Sequence, residues 1–161
     1  MKRFLLMFLA ALLLGASASR AAGMEDMNAP HRRGDYAEAA REYRAAAEQG
    51  NASAQSHLGN LYRMGQGVKQ SDVEAVKWFR LAAAQGNAAG QGGLGLMYGA
   101  GDGVSQDYVR AYMWSHLAAG SGYKMAVANV DIFAKRMTPR QVEDAKKMAR
   151  ECQQRNFKSC D

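Results

Sequence analysis

Proline is almost missing from this chain: Pro30 and Pro139 are the only two in 161 residues. Cysteine is as scarce, with Cys152 and Cys160 alone, and there are three histidines, His31, His57 and His116. Few stretches alternate apolar and polar residues in the manner of strands. Each shortage excludes something. With so few breakers and so little alternation, helices are the expectation. The histidines have no ligand spacing to one another or to the cysteines, so no metal is expected. No Gly-Lys-Ser/Thr accompanies any glycine-rich stretch, which removes the usual phosphate loop. No cofactor is expected.

A long apolar run is lacking too. The longest, Phe4 to Gly15, has 12 residues, short of the roughly 20 that span a bilayer as a helix. Lys2 and Arg3 precede it and Ala16-Ser17-Ala18 follows it. Positive n-region, apolar h-region and small-x-small site make a secretory signal peptide over residues 1–18. No cysteine follows closely, so a lipid anchor is not expected. The expected location is outside the cytoplasm, in the periplasm of a Gram-negative cell or secreted. Residues 19–34 show no period and read as a flexible tether; Met24, Met27 and His31 in it are soft donors without a scaffold. Removal of Lys2 and Arg3 leaves 19 basic against 15 acidic side chains, a net of +4. Residues 135–158 hold eight basic and three acidic side chains. That run reads as the solvated face of a helix, with an anionic membrane surface as the alternative and no nucleic acid expected.

What the chain has in quantity is itself. Residues 51–86 and 87–122 align without a gap, with 17 of 36 positions identical, against about two or three by chance. Each unit reads as a pair of helices. Asn51 caps the first, which runs from Ala52 to Met64 with Ala54, Leu58, Leu61 and Tyr62 on one stripe. Gly65 ends it and Gly67 allows the return. Ser71 and Glu74 start the second helix, Ala75, Trp78, Phe79 and Ala82 follow at helical spacing, and Gly86 closes it. Residues 35–50 repeat only the second half of the unit, with seven identities in 16 to residues 71–86. Residues 123–161 read as a degenerate first-type helix and then a cap: Thr138, Pro139 and Gln141 are N-cap, N1 and N3, and Val142, Ala145, Ala149 and Cys152 form the apolar stripe. Export and a turn at Asn156 predict a Cys152–Cys160 disulfide that pins this cap.

Leu58, Gly59, Tyr62, Gly65, Gly67 and Trp78, with their copies Leu94, Gly95, Tyr98, Gly101, Gly103 and Trp114, resemble the pattern of the Sel-one-like repeat (SLR) family, relatives of tetratricopeptide repeats. The resemblance runs from about Asp35 to Arg155. It implies an all-α chain, a short right-handed α-α solenoid of antiparallel helix pairs, that acts as an exported adaptor or regulator of another protein. An immunity protein against a secreted toxin is one special form of that role. The family has no shared catalytic residues. First-type helices line the concave face of related solenoids, and the off-core residues there are Ser56, Asn60, Arg63, Gly92 and Leu96, the candidate partner surface.

Two features test this reading. Ser121 and Lys124 match the Ser-x-x-Lys motif of penicillin-binding enzymes, but no Ser-Asp-Asn or Lys-Thr-Gly accompanies them. The chain is therefore not read as an enzyme, with a serine-dependent β-lactam chemistry as the rival. Residues 88–99 hold five glycines inside an expected helix, each weakening it by about 0.5–1 kcal/mol relative to alanine. They serve either close packing against neighbouring helices or a smooth groove floor at Gly92 for a partner's backbone.

Overall fold

The computed structural model describes residues 28–161. The signal-peptide segment and residues 19–27 of the expected tether lie outside the described residues. Eight helices follow one another among the described residues: α1 Ala29–Arg33, α2 Tyr36–Glu48, α3 Ala52–Met64, α4 Asp72–Ala83, α5 Ala88–Ala100, α6 Tyr108–Gly120, α7 Lys124–Ala134 and α8 Pro139–Gln154. There is no strand among the described residues. None of the described helices is long and apolar enough to cross a membrane.

The N-caps are those the sequence supplies. Asn51 and Asn87 accept from the backbone N–H three residues on, at 2.9 and 2.8 Å. Ser71 and Asp107 do the same for α4 and α6. Thr138 and Gln141 cap each other reciprocally, with Pro139 opening the helix. The turn between paired helices is also stapled by a residue shared by both repeats. Gln70 donates to the Arg63 carbonyl at 3.1 Å, and Gln106 to the Gly99 carbonyl at 2.9 Å.

Helices α1 to α7 each pack on the next and α8 packs back on α6; first-type α3 and α5 also touch across the repeat, as do α5 and α7. Tyr62 borders both core clusters, one on α2 and α3 with Trp78 and a larger one from α4 to Cys160. Phe79 is fully buried, and burying a side chain of this size contributes about 2–3 kcal/mol. Its ring lies between α3 and α5: a Cβ on Gly59 would come within 2.8 Å of it, and one on Gly93 within 2.6 Å. The same tightness holds elsewhere on α5. A Cβ on Gly90 would meet Ala82 at 2.5 Å, on Gly95 Ser115 at 2.5 Å, and on Gly99 Phe133 at 2.3 Å. The glycine-rich helix is thus enclosed by α4, α6 and α7, and the lost helix propensity is offset by contact.

One expectation changes. Residues 28–34, expected as part of a flexible tether, hold α1. Pro30 starts it and Gly34 ends it in the left-handed region. Tyr43 of α2 donates to Asn28 Oδ1 at 2.6 Å, and the His31 ring lies edge-on to Tyr36, with centroids 5.4 Å apart. A one-turn helix has no periodicity to read; its order comes from what it packs on.

Candidate functional site

The 36-residue period places Asn60, Leu96 and Ile132 at equivalent points of α3, α5 and α7. Asn60 is half-buried, and its Nδ2 donates to the Ser56 carbonyl at 3.2 Å. Leu96 is 38% exposed and Ile132 52%. Two large apolar side chains therefore face solvent one repeat apart on adjacent first-type helices. Arg63 and the exposed Met64 continue this edge at the end of α3. A cleft of about 250 Å³ opens beside them, lined by His31, Tyr36, His57, Asn60, Met64 and Gln66.

Ser56 and Gly92 do not belong to that surface. Ser56 is 2% exposed and donates to the Ser53 carbonyl at 2.8 Å. Gly92 is buried, and a Cβ there would come within 2.7 Å of the Tyr123 ring. The groove-floor reading of Gly92 is replaced by packing. The aromatic cover comes from Tyr123, in the degenerate third unit, so the repeat pattern alone did not reveal it.

The tryptophans fill the core, as their spacing beside small residues suggests: Trp78 is 8% exposed and Trp114 2%. Trp114 also has a polar partner that sequence reasoning missed. Asp161 Oδ1 accepts from Trp114 Nε1 at 3.3 Å and from the Tyr98 hydroxyl at 2.6 Å. Arg80 Nε donates to Asp161 Oδ2, and Arg80 Nη2 to the Tyr98 oxygen at 3.0 Å. Burial and the bond to Asp161 push the Tyr98 phenol up, against the opposing pull of Arg80. Arg80 had a signal, being identical to Arg44 in the half repeat. Asp161 had none. It arrives because the chain doubles back: Asn156, Phe157 and Ser159 all take positive φ. The Sγ atoms of Cys152 and Cys160 lie at bonding distance, 2.10 Å, with Cα atoms 5.2 Å apart.

Ser121 and Lys124 are both exposed, at the end of α6 and the start of α7. Neither has a side-chain hydrogen bond to the other. The histidines are brought closer than their spacing suggested. His31 and His57 have ring centroids 6.4 Å apart, and His57 stacks on Tyr43 at 4.8 Å. No group of three or more His, Cys, Asp or Glu suited to a metal occurs among the described residues.

Burial first, then the charge of His31, push the His57 imidazole down; burial and the Lys146 and Arg150 charges do the same to His116. The unfolded chain, with histidines near their ordinary value of about 6.5, then binds more protons than the folded one just below that pH. Stability is full above about pH 6.5 and falls as the pH drops through it. Thermal melts at pH 7.5 and 5.5 should show a lower Tm at pH 5.5, with a shallower drop for His57→Gln/His116→Gln.

The repeat geometry has direct counterparts. The Sel1 repeat family model matches residues 31–51, 52–87 and 88–123. The chain is a Sel1 repeat protein. Sel1 repeats generally mediate protein–protein interaction, and the family is typically a non-enzymatic scaffold. The SLR-fold protective antigen c5321 of uropathogenic Escherichia coli is similar to this Sel1 protein at 30% identity and a TM-score of 0.77, over 89% of this chain and 32% of that one. A Sel1 repeat protein from Oxalobacter formigenes is similar at 39% identity and a TM-score of 0.56, over 60% of this chain and 40% of that one. The Sel1 protein therefore spans well under half the length of either. A comparison with the curated proteins gives no match.

Proposed function

We propose that this Sel1 protein is an exported adaptor that holds another protein against its first-type helices, with Asn60, Leu96 and Ile132 as the central row and Arg63 and Met64 at its edge. The observation that carries the reading is the pair of exposed apolar side chains, Leu96 and Ile132, at equivalent positions of neighbouring helices. Exposed apolar rows on a solenoid are suited to a partner's side chains, and a few such contacts dominate binding. Arg63 supplies charge complementarity at the rim. Export is supported by the leader and by the paired cysteines, which persist in oxidising compartments.

Leu96→Asp/Ile132→Asp tests it. The variant should keep its helical circular dichroism and a Tm within a few degrees, since both side chains are at the surface. Proteins cross-linked by the wild type in its host envelope should be lost at least tenfold from the variant. An unchanged set of cross-linked proteins would count against this surface.

A further inference from the structure

The Arg80–Tyr98–Trp114 cluster has a copy one repeat earlier. Arg44, Tyr62 and Trp78 stand 36 residues before those three. The copy is assembled in the same way. Arg44 Nη2 donates to the Tyr62 hydroxyl oxygen at 2.6 Å, as Arg80 does to Tyr98. The guanidinium carbon lies 5.8 Å from the Tyr62 ring centre, against 6.0 Å for Arg80 over Tyr98.

One component differs. In the later cluster the carboxylate of Asp161 accepts from all three residues. In the earlier one no carboxylate of the described residues bonds to Tyr62 or Trp78. Trp78 Nε1 is buried without a hydrogen-bond partner, and Trp78 itself is more than nine-tenths buried. The Tyr62 hydroxyl accepts from Arg44, yet its own proton has no acceptor among the described residues. A buried donor left unpaired costs about 1–3 kcal/mol in other proteins. The buried indole N–H and the surface hydroxyl of Tyr62 stand beside the Arg44 guanidinium as the three partners of Asp161 do one repeat later.

The neighbouring glycine differs between the two repeats as well. Phe157 lies on Gly86 so closely that a Cβ there would come within 2.9 Å of its ring. Gly50, the counterpart of Gly86, has the same left-handed backbone and nothing within 4 Å of its Cβ direction. Lys77 stands over the Trp78 ring at 5.5 Å, where the later repeat has Met113. Glu74, held by Lys77 at 3.4 Å, stands where the later repeat has Arg110. Glu48 replaces Ala84, which lines the cleft beside Asp161.

We infer that the Arg44–Tyr62–Trp78 site binds an Asp side chain of a partner protein's turn-forming segment, with an aromatic residue four positions before it seated on Gly50. The chain's own tail, Phe157 to Asp161, is the template for the bound form. Glu48 favours a basic residue between the two, as Lys158 lies between Phe157 and Asp161. A second copy of the chain is a poor donor, because its Phe157 and Asp161 are already engaged on Gly86 and Arg80. This site is separate from the row of Asn60, Leu96 and Ile132, so either can fail without the other.

The probe is a synthetic peptide of residues 155–161 with Cys160→Ser and both ends blocked, titrated into the full mature chain. The indole N–H resonance of Trp78, assigned with Trp78→Phe, should move saturably while that of Trp114 stays. A peptide with Asp161→Asn, and the protein variants Tyr62→Phe and Arg44→Gln, should each weaken binding about tenfold, the scale of a lost hydrogen bond to a charged group. A peptide with Phe157→Ala should weaken it as well. The inference fails if the Trp78 resonance is unmoved at millimolar peptide, or if the Asn peptide binds as well as the Asp peptide. It also fails if Tyr62→Phe changes nothing, or if sodium acetate at the same concentration moves the resonance equally. A dimer abolished by Arg44→Gln would assign the site to a second copy instead and overturn it.

Discussion

Gly103→Ala should destabilise the protein by about 3 kcal/mol or more, whereas Gly120→Ala should leave it unchanged or stabilise it slightly. The two glycines sit 17 residues apart in the sequence and differ in both conformation and surroundings. Gly103 has φ +68°, and a Cβ there would come within 2.5 Å of the Asp72 backbone. A side chain in the left-handed region costs roughly 1–2 kcal/mol by itself. Overpacking adds about 1–3 kcal/mol, and the clash is with backbone that cannot rotate away. Asp72 opens α4, so relief would require the turn after α5 to part from the preceding second-type helix. Gly120 lies in α6 with nothing within 4 Å, so alanine there gains helix propensity at no steric cost. Paired thermal and urea melts check this: for a domain of this size a loss of that order lowers Tm by about 10 °C. Equal Tm values for the two variants would show that Gly103 does not lock the repeats together. A Cβ on Gly67, at φ +69°, would meet the Tyr36 carbonyl one repeat earlier in the same way.

Reduction of Cys152–Cys160, or the pair Cys152→Ser/Cys160→Ser, should cost about 2–3 kcal/mol, the loop-closure entropy expected when a short loop is released. The bridge joins residues eight apart. Its larger consequence is positional. Cys152 is fully buried on α8 and Cys160 is 9% exposed; the bond holds Asp161 against Arg80, Tyr98 and Trp114. Asn156, Phe157 and Ser159 have positive φ without being glycine, so the tail keeps its path only while something over-determines it. Reduction should therefore move the Trp114 indole resonance, while the helical circular dichroism of the stack is retained. A melt insensitive to reductant, with the Trp114 resonance in place, would show that packing alone holds the tail.

Much of the fold was legible because the chain states it twice. Asn51 and Asn87, Gly65 and Gly101, Gly67 and Gly103 each perform one mechanical task at a fixed interval, and a repeated task leaves a repeated letter. The bounds expected for α3 are those observed, since its cap and its left-handed terminus are both local. The candidate surface was legible only in part. Asn60, Arg63 and Leu96 reach solvent to some degree, but Ser56 and Gly92 are buried. Helical phase shows which way a residue points from its own axis; it does not show which neighbour lies over it. Tyr123 covers Gly92 from a unit whose sequence has drifted out of the pattern.

The sequence by itself determined the helix pairs, their caps, the turn glycines, the capping helix and the pairing of the only two cysteines. These follow from interactions a few residues long, where spacing is geometry. Tertiary structure decided the rest. It enclosed the glycines of α5 against Phe79, Ser115 and Phe133, and it ordered α1 through Tyr43. It also placed Asp161 on Arg80, 81 residues away, while the equivalent donors of Tyr62 and Trp78 have no acceptor among the described residues. Contacts between distant segments depend on how rigid units stack, and a single chain carries no periodic mark for a contact made once.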